Sequence, residues 1–217
     1  MRRIWRLLSA ILIASLFAAP VSGQTRTPWQ MHNGLEVTPG NPLGLIGFSC
    51  NPAVHGDPCE YDVSTIPPVA DLGWGPAPDP DIINFSIPSR VCFAPIRCFA
   101  YGDFTYFQTL VDIPAHVIVT TFTIAFSGMD DGSRVTIFNS LYPTGLVIAG
   151  SYVFLGGSGT TDLHSYVVPG ELNRVVVTQV DDCCSDNNLR RAEVVLNGAI
   201  VTATKPWSWG RIKATYR

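Results

Sequence analysis

The fold is decided by one stretch of the sequence, residues 122–139, which reads FTIAFSGMDDGSRVTIFN. Apolar and polar residues alternate from Phe122 to Phe126, which is the pattern of a strand with one buried face. The turn formers Asp-Asp-Gly-Ser follow at 130–133, and β-branched and aromatic residues resume at 134–138. The stretch therefore predicts two strands joined by an acidic turn.

Strands are also predicted on both sides of this stretch. The first strand is predicted to begin at Val117 and to run to Phe126, with one apolar face formed by Ile118, Phe122, Ile124 and Phe126. Asn197-Gly198 has the composition of a two-residue hairpin turn. No long segment with helical spacing follows residue 24, so an all-β sandwich or barrel is predicted. The other predicted strands are 106–113, 134–138, 146–149, 152–155, 174–181, 192–197 and 199–202.

Residues 1–23 have the order of a secretory signal peptide. Arg2, Arg3 and Arg6 precede an apolar run from Leu7 to Ala19, and small residues lead up to Gln24. The run is shorter than the roughly 20 residues that a membrane span needs, which makes a retained anchor the weaker alternative. We predict that residues 1–23 are removed and that the mature chain is secreted or extracytoplasmic, in a periplasm or outside the cell.

The mature chain is acidic and long enough for one domain. Removing three arginines from 14 Lys plus Arg leaves 11, against 17 Asp plus Glu. We do not expect such a surface to attract nucleic acid phosphates or anionic lipid. Its predicted parts are a Pro- and Cys-rich segment at 24–103, which is either part of the sandwich or an extension, a β-sandwich core at 104–203 and a basic aromatic tail at 204–217.

All six cysteines lie beyond the predicted signal peptide, where disulfides persist. Short separations favour the pairs Cys50–Cys59 and Cys92–Cys98 among 15 connectivities. That pairing leaves the neighbours Cys183 and Cys184, whose α-carbons are about 3.8 Å apart, below the usual disulfide separation of about 4.4–6.8 Å. A strained bridge, two free thiols and a different pairing all remain open. Zinc is disfavoured because no CxxC pair stands beside spaced histidines. The predicted disulfide residues are Cys50, Cys59, Cys92, Cys98, Cys183 and Cys184.

Three segments of the chain resemble a known family. Residues 106–114, 122–139 and 168–177 are similar to successive strands and turns of the galactose-binding-domain-like β-sandwich, found in carbohydrate-binding modules and accessory domains of glycoside hydrolases. The resemblance covers roughly residues 104–203 and implies a jelly roll. Sandwiches of this kind host sugar binding, adhesion, calcium binding or structural packing.

Acidic and amide residues gather in two predicted loops. Asp130 and Asp131 begin the first, and the second contains Asp181, Asp182, Asp186, Asn187 and Asn188. Calcium prefers six to eight oxygen ligands, so Asp181, Asp182 and Asp186 are candidate calcium ligands. The alternative is that these side chains bond the backbone of their own turns. No other cofactor is predicted.

Aromatic residues in predicted loops suit sugar recognition because a flat ring stacks on the apolar face of a pyranose. The alternative is that the same rings cover the core. Trp207 and Trp209 in the tail share this ambiguity. The predicted ligand-binding residues are Trp74, Asp130, Asp131, Tyr142, Tyr152, Asp182 and Asn187.

No catalytic residues are predicted. The acids lie in turns, no Gly-x-Ser-x-Gly motif is present, and the four histidines are scattered singly. The sequence therefore predicts a non-catalytic β-sandwich that binds an extracellular glycan or cell-surface component, not nucleic acid, and has no membrane span after signal cleavage. The alternatives are a structural or adhesive extracellular protein without a small-molecule site and, third, an accessory glycoside-active enzyme.

Overall fold

The computed structural model describes residues 25–37, 66–88, 102–130, 132–149, 151, 153–154, 158–181 and 186–204. Every regular element in those ranges is a β-strand. The strands are β1 (Thr25–Arg26), β2 (Gln30–Val37), β3 (Gly75–Pro76), β4 (Ile83–Pro88), β5 (Gly102–Asp112), β6 (Phe122–Asp130), β7 (Gly132–Phe138), β8 (Leu146–Val147), β9 (Val153–Phe154), β10 (Ser158–Asp162), β11 (Leu172–Asp181), β12 (Asp186–Leu196) and β13 (Ala199–Ile200).

The strands form two antiparallel sheets. The first sheet has the order β3-β2-β5-β11-β7-β8, with β1 also on β5 and β9 also on β7. The second has the order β10-β6-β12-β13, with β4 also on β12. The chain crosses between the sheets several times, including from β6 to β7, from β9 to β10, from β10 to β11 and from β11 to β12. This confirms the all-β prediction and is compatible with a β-sandwich.

One apolar core is shared by the two sheets. Phe107 and Val177 contribute from the first sheet, and Phe122, Ile124 and Val194 contribute from the second. Because successive side chains of a strand point to opposite faces of the sheet, the residues that alternate with these core residues lie on the outer face of each sheet. Strands lie on both sides of the predicted acidic turn, but β6 ends at Asp130 and β7 begins at Gly132, so the strands extend into the residues predicted as the turn.

The N-terminal part of the chain enters both sheets. Strands β1, β2 and β3 belong to the first sheet, and β4 belongs to the second. Of these, β2 is eight residues long and was not predicted individually. The segment 24–103 therefore supplies strands to the same two sheets as the later segment, within the ranges that the structure describes.

The predicted bounds of the strand at 117–126 are wrong at both ends, because β6 runs from Phe122 to Asp130. The strand begins at Phe122, and Ile118 is 81% exposed instead of lying on the core face. The reason is a side chain from the distant β12–β13 turn. Asn197 Oδ1 accepts the backbone N–H of Thr120 at 2.8 Å, and Asn197 Nδ2 donates to the carbonyl of Ile118 at 2.9 Å. The backbone here bonds to an amide side chain and not to a neighbouring strand.

The predicted hairpin turn at Asn197-Gly198 is confirmed. The φ angles of Asn197 and Gly198 are 49° and 78°, so both residues are in the left-handed region. Two successive positive φ angles match the type I′ turn, whose twist suits the flanking strands. The turn joins β12 to β13, where Leu196 lies opposite Ala199.

The central strands β5 and β11 of the first sheet are buried on both faces. Val175 and Val177 of β11 belong to the core, whereas Val176 lies on the outer face and is also fully buried. Gln108 lies opposite Val176 and is buried as well. Strands covered on both sides read as continuous apolar runs, which accounts for three successive valines.

Part of the cover on the outer face is the segment 66–77, which we call the strap. Pro67 O of the strap accepts from Nη2 of Arg174 at 2.6 Å, and the Trp74 ring centroid lies 5.6 Å from the Arg174 guanidinium carbon. Val69 of the strap clusters with Leu110 and Leu172. The strap thus contacts both β5 and β11.

Candidate functional site

The β6–β7 connection and the β11–β12 connection each join one sheet to the other. The two connections lie at the same end of the fold. Asp130 lies opposite Asn188 in the pairing of β6 with β12. Asp181 lies opposite Asp103 in the pairing of β11 with β5. Opposite residues of antiparallel strands have α-carbons about 4.5–5.5 Å apart, so each pair is close. The end of the fold that carries Asp103, Asp130, Asp181 and Asp186 is called the acidic end below.

The acidic end contains most of the predicted polar site residues. Asp130 and Asp181 close their strands, and Asp186 and Asn187 begin β12. Gly132 follows the β6–β7 connection and lies opposite Val180, the neighbour of Asp181. The two predicted acidic loops, about 50 residues apart in sequence, are therefore neighbours in the fold. Asp131 and Asp182 lie outside the described residues.

A buried amide oxygen lies at this end. Asn188 is buried, and its Oδ1 accepts no hydrogen bond within the described part of the chain. A buried oxygen of this type is costly unless a donor or a cation satisfies it. Within the same ranges no group of three or more His, Cys, Asp or Glu side chains is arranged to hold a metal ion. Calcium binding by Asp181, Asp182 and Asp186 stays a prediction.

Of the predicted aromatic site residues, the two that the structure describes, Trp74 and Tyr142, are not at the acidic end. Trp74 is only 7% exposed, packs over Arg174 and donates its indole N–H to Pro68 O at 2.9 Å. Its surroundings are those of a ring that packs between the strap and the first sheet, the alternative role considered above. Tyr142 lies in the loop after β7, at the opposite end, with its ring 6.3 Å from Tyr166. Tyr152 and the tail residues Trp207 and Trp209 lie outside the described residues.

Two buried asparagines organise the loops at that opposite end. Asn139 Nδ2 donates to Asn173 Oδ1 at 3.0 Å and to Tyr166 O at 2.8 Å. Asn173 Oδ1 also accepts the N–H of Val168, and its Nδ2 donates to Val168 O. These amides are occupied in fixing the loops. Sequence reasoning had not singled them out, although each stands at a junction of loop and strand.

A hydrogen-bonded chain of Asp162, His164 and Ser165 lies at the same end and was also missed. Asp162 Oδ2 is 2.7 Å from His164 Nδ1, and His164 Nε2 is 3.1 Å from Ser165 Oγ. The backbone N–H of His164, followed by the His164 ring, lowers the pKa of Asp162. Both Asp162 and His164 are exposed, so water competes for these bonds. The spacing Asp-x-His-Ser is the sequence signal that would have identified the group.

A second histidine fastens the strap to the first sheet. His32 Nε2 of β2 is 3.2 Å from Asp71 Oδ1, which also accepts the N–H of Gly73 at 2.7 Å. The Gly73 bond and then the His32 bond lower the pKa of Asp71. The His32 ring also meets the edge of Trp74 at a centroid distance of 5.2 Å. These contacts are structural in character, because they join the strap to β2.

No protein-family model matches this chain, and no curated protein is significantly similar to it in sequence. Over the described ranges, none of the elements is a helix that is long and apolar enough to cross a membrane. The resemblance to the galactose-binding-domain-like sandwich therefore stays a prediction, while the pair of antiparallel sheets is observed.

Proposed function

We propose that the protein is a secreted, non-catalytic jelly-roll β-sandwich with disulfide bonds that binds carbohydrate, or another component of an extracellular surface, at its acidic end. The observation that supports this is the register of four strands. It places Asp130 opposite Asn188 and Asp181 opposite Asp103, with Asp186 beginning the neighbouring strand. Carboxylate and amide residues from distant parts of the sequence thus share one end.

The chemistry of these residues suits a ligand rich in hydroxyl groups. Ionised carboxylates are acceptors only, and an amide offers both an acceptor and donors, so together they match the donors and acceptors of sugar hydroxyls. Hydrogen bonds to charged groups contribute about 1.5–3 kcal/mol each. A few such bonds are enough for selective binding to a repeating glycan.

Calcium would fit the same end as a supporting ion. Asp181, Asp182 and Asp186 would hold it through their carboxylates, and the unsatisfied Asn188 Oδ1 is the kind of oxygen that calcium accepts as a ligand. A bound ion would supply positive charge for sugar hydroxyls or would fix the loops. An apparent unfolding temperature that rises with calcium and falls with EDTA would support this, and an unchanged temperature would count against it.

The second candidate is a structural or adhesive extracellular protein without a small-molecule site. It is favoured by the burial of the aromatic rings, because Trp29, Trp74 and Tyr106 are all inside the fold. A sugar-binding groove ordinarily presents rings to its ligand. At the acidic end, recognition would therefore have to depend on polar groups.

The experiment is a glycan array probed with the mature chain, residues 24–217, in calcium and in EDTA. The test variants are Asp130→Asn and Asp186→Asn. The matched control is Asp162→Asn, which removes an exposed carboxylate at the opposite end. Folding of each variant is checked by its unfolding temperature.

Selective binding that falls at least about tenfold in the test variants, but not in the control, is the expected result. Equal loss in the control would mean that the acidic end is not the binding site. The absence of binding to every glycan would overturn the carbohydrate proposal and favour the structural or adhesive candidate.

A further inference from the structure

Two arginines lie side by side on the outer face of the second sheet. Arg190 and Arg191 are successive residues of β12, and both are exposed, whereas strict alternation along a strand would bury one of them. The cause is a β-bulge in the pairing of β12 with β4, whose register shifts between Leu189 and Ala192. The two arginines of β12 are there opposed by one residue of β4, Asn84.

Arg190 lies against a glycine of the neighbouring strand β6. A Cβ atom at Gly128 would be 3.0 Å from Cδ and 3.2 Å from Cβ of Arg190. The φ angle of Gly128 is 60°, which also favours glycine. The absence of a side chain at Gly128 lets the apolar stem of Arg190 rest on the sheet while the charged group stays in water.

Polar side chains surround the two arginines. Ser127 of β6 lies opposite Arg191, and Ser158 of β10 lies opposite Ser127. Asn84 and Ser158 are exposed. We call the surface formed by Asn84, Ser127, Ser158, Arg190 and Arg191 the bulge face. Its residues are neighbours across the four strands β10, β6, β12 and β4.

The bulge face is positively charged. Within the described ranges, Arg190 and Arg191 are the only exposed lysine or arginine residues. Arg26 and Arg174 are buried, and Nε of Arg26 donates to Val201 O at 2.6 Å. The net negative charge of the chain averages over the whole surface, so it does not reveal this local pair.

Both guanidinium groups are available to a ligand. Arg190 makes no hydrogen bond or ion pair with the residues that the structure describes. Arg191 Nη2 is 2.6 Å from Glu193 Oε1, which holds the side chain on the outer face. An arginine has five N–H donors, so Arg191 keeps donors for a ligand.

The acidic end adjoins the bulge face along β12 without cancelling its charge. Asp130 lies opposite Asn188, which is two positions or about 7 Å from Arg190 along the strand. Asp186 is four positions or about 13 Å from Arg190, beyond the Debye length of about 8 Å. Asp130 is therefore the acid whose removal should strengthen the attraction of an anion to Arg190.

We propose that the bulge face binds the sulfate or carboxylate groups of an anionic polysaccharide. The planar guanidinium group forms paired hydrogen bonds with oxyanions of this kind. The amide of Asn84 and the hydroxyls of Ser127 and Ser158 suit the sugar hydroxyls between charged groups. This site goes beyond the glycan site proposed at the acidic end, because it recognises charge of the opposite sign.

The side chains of the bulge face favour a polysaccharide over other polyanions. Proteins that bind nucleic acid use on the order of 6–10 phosphate contacts or aromatic rings on which bases stack, whereas the bulge face has two cations and no ring. An anionic membrane is bound by apolar side chains that enter it, and the neighbours of the two arginines are hydroxyls and an amide. A polysaccharide offers both charges and hydroxyls to such a face.

The test measures the affinity of the mature chain, residues 24–217, for dextran sulfate, polygalacturonate and unmodified dextran at low and at high salt. The two charged polymers distinguish sulfate from carboxylate as the recognised group. The test variants are Arg190→Gln and Arg191→Gln. The charge-matched control is Arg134→Gln on the outer face of the first sheet, where Arg134 lies opposite Thr178. Unfolding temperatures verify that each variant is folded.

We expect binding to at least one charged polymer, none to dextran, and weaker binding at high salt. Arg190→Gln and Arg191→Gln should each weaken binding at least about tenfold, and Arg134→Gln less than about twofold. Arg190→Lys keeps the charge but loses the paired hydrogen bonds, so its affinity should be intermediate. Asp130→Asn should strengthen binding to the charged polymer, whereas the acidic-end proposal predicts that the same change weakens binding to a neutral glycan.

The proposal would be overturned by no binding to either charged polymer or by an equal loss in Arg134→Gln. Binding to double-stranded DNA as tight as to dextran sulfate would also overturn it, because the site would then accept any polyanion. If neutral glycans fail to bind but both arginine variants lose dextran sulfate, only the acidic-end proposal fails. The reverse pattern removes the bulge face alone.

Discussion

The two sheets differ in what covers them. The second sheet has one buried face, while residues between its core positions, such as Thr123, Ala125 and Glu193, are only partly buried. The central strands β5 and β11 of the first sheet are buried on both faces, and their outer face includes the polar residues Gln108 and Arg174. The second sheet is thus stabilised mainly by its apolar face, whereas the central strands of the first sheet also depend on buried polar side chains that bond to one another.

The buried polar side chains of the first sheet are hydrogen-bonded to one another in a row across neighbouring strands. Gln108 Nε2 donates to Gln30 Oε1 at 2.9 Å, and Arg174 Nε donates to Gln108 Oε1 at 2.7 Å. On the second sheet, the pair of Arg191 and Glu193 is equally short at 2.6 Å but is exposed on the arginine side. Because Gln108 and Arg174 are buried, the loss of either partner leaves a polar group without a hydrogen bond and is costly. Because Arg191 is exposed to water, the loss of its bond to Glu193 costs little.

The largest expected effect is the loss of Arg174. Arg174→Ala removes the donors to Gln108 Oε1 and Pro67 O and the group that packs beneath Trp74. We expect a loss of about 3 kcal/mol in the free energy of unfolding, measured by urea denaturation. Arg191→Ala is the control on the second sheet and should cost less than about 0.5 kcal/mol. Equal costs would mean that the two sheets do not differ in this way.

The next effect compares two valines on outward faces. Val176→Ala removes two buried methyl groups from the first sheet and should cost about 2 kcal/mol by the same measurement. Val195→Ala on the partly buried outer side of the second sheet should cost less than about 1 kcal/mol. If Val195→Ala were the more costly, the second sheet would have to be covered on its outer face.

The third effect concerns the turn that fixes the second sheet. Asn197→Ala removes the bonds to Thr120 and Ile118 and puts a non-glycine residue without a polar side chain at φ 49°. We expect a cost of about 1–2 kcal/mol. Asn197→Gly tolerates the positive φ, so it should cost less. Equal costs in the two variants would assign the whole effect to the hydrogen bonds and none to the backbone.

The smallest effect is a pH dependence of the strap. The pKa of Asp71 is lowered in the folded state, so its contribution to stability is present above the unfolded value of about 3.9 and is lost as pH falls through the folded pKa. Unfolding temperatures measured from neutral to acidic pH should decline less steeply below about pH 4 in Asp71→Asn. Because the Gly73 bond is the larger cause, His32→Phe should keep most of the decline. Identical profiles for the parent and Asp71→Asn would contradict this.

Local patterns predicted much of the second sheet. The alternation from Phe122 to Phe126 identified a core face, and Asn197-Gly198 identified a turn that requires positive φ at both positions. Ile118 was misplaced because its backbone bonds to an amide 79 positions away. The cover on the first sheet was not predicted either, because nothing local distinguishes Val176 from its neighbours.

The candidate site was predictable in composition but not in arrangement. The carboxylates near Asp130 and Asp181 were visible as turn residues. Their juxtaposition depends on the register that sets Asp130 opposite Asn188, which involves strands far apart in the sequence. The burial of Trp74 could not be predicted from its neighbours in the sequence either, because the ring packs on Arg174, a hundred positions later in the chain.

The bonds of Arg26 have a consequence for the order in which the protein acquires its structure. Arg26 stands near the start of the predicted mature chain, and the carbonyl that accepts from its Nε belongs to Val201, 175 positions later. A ribosome must therefore synthesise 175 further residues before this bond to the first strand can form. Until then, the Arg26 guanidinium stays hydrated and β1 lacks its contact with the segment after β13. Under the export proposed above, this delay would keep the chain in a state that can still be translocated.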